Sequence, residues 1–95
     1  MAEVDEKYAQ YQIAASEALR AGSAPGLDFQ ERIRFFQESA HWSEKAFLAS
    51  RQNVYARVLA FDQYQCAMGQ ILLAKHEYHS VVVSETPAEN VQGRD

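Results

Sequence analysis

Between Leu27 and Met68 the chain contains neither proline nor glycine. Both residues interrupt helices, proline by removing a backbone donor and glycine by its conformational freedom, so nothing in this stretch forces a helix to stop, and Ser50-Arg51-Gln52-Asn53 is either a short break or part of one very long helix. One unbroken helix from Phe29 to Tyr78 would be about 75 Å long, and a chain of 95 residues could not cover it. Ser50-Arg51-Gln52-Asn53 is therefore expected to divide it, with Asn53 capping the helix that follows.

The remaining punctuation falls outside that stretch. Over Glu3 to Ala21, Val4, Tyr8, Tyr11, Ala15, Ala18 and Leu19 recur every three or four residues and predict a first helix with one apolar side. Glu3, Asp5 and Glu6 suit its N-terminal end and Arg20 its C-terminal end, and Gly22 is the expected stop. Ser23-Ala24-Pro25-Gly26 breaks the pattern, and Asp28 with Glu31 forms a capping-box pair that opens a second helix near Phe29.

That second helix carries two apolar stripes. Phe29, Ile33, Phe36, Ala40 and Phe47 lie on one side, and Phe35, Trp42, Ala46 and Ala49 lie nearly opposite. Two stripes require two neighbours. The third helix, from Val54 to about Tyr78, is apolar almost all round: Val54, Val58, Phe61, Met68 and Leu72 share a face, flanked by Leu59, Cys66 and Leu73 on one side and Ala60, Ala67 and Ile71 on the other. Arg57 and Asp62 are the only charges between Gln52 and Lys75. The fold class expected is all-α, a three-helix bundle or a helical hairpin with a long third helix, in one domain over 1–80. Val81-Val82-Val83 is expected to be an extended segment, and 84–95 a disordered acidic tail.

Composition narrows the function. A net charge of -4 gives no basic footprint for nucleic acid or an anionic membrane. No apolar run reaches the roughly 18 residues of a membrane span, and no basic-then-apolar leader is visible at the N-terminus. One cysteine excludes an internal disulfide, and a reducing, cytoplasmic setting is expected. Cys66, within Tyr64-Gln65-Cys66-Ala67-Met68, reads as a buried structural thiol.

Two arrangements invite metal chemistry. Glu38-Ser39-Ala40-His41 places a carboxylate and an imidazole on adjacent helical turns, and with Glu17 or Glu44 completed across a dimer it resembles the half-site logic of small ferritin-like di-iron proteins. His76 and His79 stand three apart near the end of the third helix, where free helix carbonyls are the commoner partners of imidazoles. Iron or zinc on Glu38 and His41 is therefore the alternative to a chain that needs no cofactor. A 34-residue offset aligns Tyr8 with Trp42 and Asp28 with Asp62, so the chain resembles tetratricopeptide-like helical hairpins in architecture at most. The small residues that such repeats need are missing from the second copy, and no family follows.

More apolar helix surface is present than a small monomer hides easily. The expected function is a non-enzymatic protein-interaction module, an adaptor, small chaperone or regulator, that oligomerises or docks on another protein. Its expected contact surface is Phe35, Trp42, Ala46 and Ala49 on the second helix with Tyr55, Leu59 and Leu73 on the third. An acidic decoy of a nucleic-acid-binding surface is a further alternative, weakened because Gly22 to Ser80 carries no net charge.

Overall fold

The computed structural model describes residues 4–85 and contains three helices, α1 (Tyr8–Gly22), α2 (Phe29–Ala49) and α3 (Val54–Glu85). The all-α expectation holds, and so does the division near Ser50. There Arg51 takes a left-handed backbone conformation with φ 54°, and the Asn53 side chain accepts the Ala56 N–H at 3.0 Å. The asparagine thus satisfies one of the free donors that open every helix. The capping box is present as read: Asp28 accepts the Glu31 N–H at 2.8 Å, and Glu31 accepts the Asp28 N–H at 3.2 Å.

Three boundaries differ from the sequence pattern. α1 begins at Tyr8, so Asp5 and Glu6 precede the helix. Asp5 instead folds the chain onto the far end of α2, donating its N–H to the Ala49 carbonyl at 2.7 Å and pairing with Arg51 at 3.5 Å. The Lys7 N–H that bonds its carboxylate holds the Asp5 pKa below the usual carboxylate range; desolvation opposes this, and the nearby Arg51 guanidinium adds to the lowering. Second, Gly22 serves packing rather than a left-handed stop. A Cβ there would lie 2.7 Å from Phe36 Cε1 and 3.1 Å from Phe35 Cβ, and the positive φ of this connection falls on Gly26. Arg32 donates to the Gly22 carbonyl at 2.7 Å, so a cation closes the negative end of α1. Third, α3 continues to Glu85, which places Val81, Val82 and Val83 in the helix rather than in an extended segment. Residues 86–95 of the expected tail lie outside the described residues.

α2 is the central element. It packs along both α1 and α3, whereas α1 and α3 meet at few points. Among these are Tyr8 Oη donating to the Ala56 carbonyl at 2.9 Å and Gln63 Nε2 donating to Ser16 Oγ at 2.7 Å. Burial, with a smaller contribution from neighbouring Tyr55, pushes the Tyr8 hydroxyl pKa up. The architecture is a small helical bundle in which α2 lies between α1 and α3.

Small residues line both interfaces. Ala15 and Ala18 of α1, Ser39, Ala40, Ser43, Ala46 and Ala49 of α2, and Ala56, Ala60, Ala67 and Ala74 of α3 are all buried. Phe36 and Ile71 are the large exceptions. Short side chains let helix axes approach closely, and the buried Ser39 hydroxyl donates across that short gap to the Ala15 carbonyl at 2.8 Å.

Candidate interaction surface

The two stripes of α2 are both used inside the chain. Phe29 meets Tyr78 edge-on at 5.0 Å and Phe47 meets Phe61 at 6.3 Å, so the first stripe faces α3 along its length. The second stripe faces α1. Trp42 stacks on Tyr11 with centroids 5.8 Å apart and planes 21° from parallel, Phe35 lies against Gly22, and Ala46 and Ala49 are buried. This corrects the sequence expectation for four residues: Phe35, Trp42, Ala46 and Ala49 form the seat of α1. The requirement for two neighbours was sound, and the chain itself supplies both.

α3 presents the reverse situation. Its packed side is Ala56, Ala60, Ala67, Ile71 and Ala74. At 100° per residue, Val54, Val58, Phe61, Met68 and Leu72 lie about 120° away from that side. Among the described residues only Phe47 of α2 reaches this face, against Phe61 at its edge, and the exposure of the five runs from 37% at Met68 to 71% at Val54. The stripe is about 27 Å long. Tyr55, Leu59 and Leu73, expected as contact residues, are exposed on the other flank of the same helix. Cys66 is also exposed there, so it is not the buried thiol that its apolar neighbours suggested.

Along one edge the stripe is bordered by α2. Shallow depressions lined by Phe47, Arg57, Val58 and Phe61, and by Glu44, Phe47, Phe61 and Tyr64, lie where the two helices meet. Arg57 is held in place there: its guanidinium carbon sits 4.2 Å from the Phe47 ring centroid, and Nη1 donates to the Arg51 carbonyl at 2.9 Å. Asp62 is exposed on the opposite edge of the stripe. The two isolated charges of α3 therefore bracket its apolar face.

The metal-ligand candidates are not gathered. Glu38 and His41 lie exposed on α2, with the His41 ring edge-on to Trp42 at 5.1 Å. Glu17, Glu44, His76 and His79 are exposed as well. Among the described residues no three His, Cys, Asp or Glu side chains converge as ligands. Nor is any helix among them long and apolar enough to cross a membrane.

No family model matches the chain, and neither a curated protein nor a solved structure shows significant similarity to it.

The exposed stripe was visible as a shared face in the sequence, yet the expected contact residues lay elsewhere. The signal that ranks the faces of α3 is residue size. In an almost wholly apolar helix, the alanine side is the one that allows another helix to approach, which leaves the Val/Phe/Met/Leu side outward.

Proposed function

We propose that the protein is a non-enzymatic interaction module that docks a helix of a protein partner against the outer face of α3. One observation carries this reading: Val54, Val58, Phe61, Met68 and Leu72 form an exposed apolar stripe, interrupted only by the uncharged Gln65 and free of charge along its crest. Contiguous apolar surface on that scale is costly in water and characteristically marks a binding face. Periodic anchors on a preformed helix suit a second amphipathic helix, which matches the spacing of the knobs.

Two glutamates in the stripe, Val58→Glu with Leu72→Glu, provide the test. The double variant is expected to retain wild-type helix content by circular dichroism, because both sites are solvent-facing. Light scattering of the wild type is expected to show association that the double variant loses, together with the fluorescence of a bound apolar dye. Unchanged association together with unchanged dye binding would remove the stripe from the function.

A further inference from the structure

We infer that the occupant of this face is α3 of a second copy of the chain, lying parallel and in register, as in a short two-stranded coiled coil. This rests on the reading of the stripe as a docking face and names what fills it.

The stripe has coiled-coil spacing. Val54, Val58, Phe61, Gln65, Met68 and Leu72 alternate steps of four and three residues, so Val58, Gln65 and Leu72 occupy a positions and Val54, Phe61 and Met68 occupy d positions. The seam starts where α3 starts, and the next d position is Lys75, which ends it.

Charge decides the orientation. In this frame Arg57 stands at g and Asp62 at the following e, one on each edge of the seam. Residues five apart at g and e are the ones that meet between chains in a parallel, in-register pair. The only two charges from Asn53 to Ala74 are thus of opposite sign and at that spacing. Each copy's Arg57 turns from the Arg51 carbonyl to meet Asp62 of the other, twice per dimer. Among the described residues Asp62 has no ion-pair partner within its own chain.

Gln65 agrees. In the parallel pair the two Gln65 amides face each other across the seam, and the carbonyl of one accepts from the NH2 of the other. An antiparallel pair with matched ends sets Gln65 against Phe61 and separates Arg57 from Asp62, leaving the polar groups unmatched. A polar residue at a single a position is a known device for fixing register. α3 is already folded on α2, so a seam this short does not bear the cost of helix nucleation on pairing. Six positions per chain are few, and self-association in the micromolar range is expected.

The experiment uses the full chain with Cys66→Ser, adding Val54→Cys or Leu72→Cys at opposite ends of the seam. A parallel, in-register dimer joins each of these variants to its own kind through a disulfide under mild oxidation, because like positions come within bonding distance. Leu59→Cys, outside the seam, does not link. Asp62→Arg should weaken dimerisation about tenfold by sedimentation, and adding Arg57→Glu to the same chain should restore most of it. A dimer that is lost in Val58→Glu/Leu72→Glu, yet links at neither end, overturns the parallel arrangement. A wild-type monomer at high micromolar concentration whose dye binding still disappears in that variant overturns the second copy and leaves the docking face standing. A dimer indifferent to Val58→Glu/Leu72→Glu overturns both.

Discussion

α2 and α3 are adjacent helices of opposite economy. α2 uses both apolar stripes internally, one against α1 and one against α3, and turns Arg34, Glu38 and His41 to solvent. α3 uses a single side, lined by alanine, and leaves its larger side chains exposed. Hydrophobicity alone would bury the larger side chains first, since they remove more apolar area from water. The alanine side is inward because close approach lets the two backbones pack along their length, and bulky residues there would hold the helices apart. Large apolar residues on the outside are then available for a partner.

Substitutions of like chemistry on the two sides break the comparison most sharply. Phe36→Ala empties a site of a fully buried ring at the α2 core and should cost about 3–5 kcal/mol, enough to unfold a domain this small. Phe61→Ala removes the same ring from a position that is 48% exposed and should cost roughly 1 kcal/mol or less in the monomer. Urea titrations at low protein concentration check the pair; similar losses would mean that the outer face is part of the core.

Adding volume gives the next contrast. Ala67→Leu forces three more heavy atoms into a closed interface and should destabilise by about 1–3 kcal/mol. Leu72→Ala, one helical turn and a face away, should leave monomer stability within about 0.5 kcal/mol of wild type while reducing association. Thermal melts with sedimentation on the same samples separate the two effects.

Smaller still is the capping box. Asp28→Ala removes the acceptor for the Glu31 N–H and should cost about 1 kcal/mol, read as faster hydrogen exchange in the first turn of α2. The smallest effect belongs to Asp5. Its pKa is lower in the folded chain than in the unfolded one, so the ionised group stabilises the fold above about pH 4. That contribution fades as pH falls through the folded value. Asp5→Asn should flatten that part of the acid titration while leaving the α3 face unaffected.

Much of the fold could be read from local patterns. The glycine- and proline-free stretch, the Asp28/Glu31 box and Asn53 each act through neighbouring backbone, so their effect depends little on distant residues. The double stripe of α2 correctly demanded two neighbours. Its partners were not readable, because which helix covers Trp42 depends on how α1 is returned by the Gly22–Gly26 turn. The start of α1 moved for a related reason: Asp5 found a better partner in the Ala49 carbonyl and Arg51, both remote in sequence, than in the first turn of a longer helix. Cys66 was misplaced because its apolar neighbours suggested depth, whereas its angle around α3 puts it outside.

The all-α class, the Asp28 and Asn53 caps, the break near Ser50 and the periodicity of the apolar faces followed from residue order, since these are short-range properties of the backbone and of side-chain spacing. The assignment of faces followed from assembly. With α2 between the other two helices, burial depends on how many neighbours a helix has, and α3 has α2 along one side and a largely apolar stripe, interrupted by Gln65, on another. Periodicity describes each face in isolation, and only the packing of one helix against the next distinguishes a core from a surface that awaits a partner.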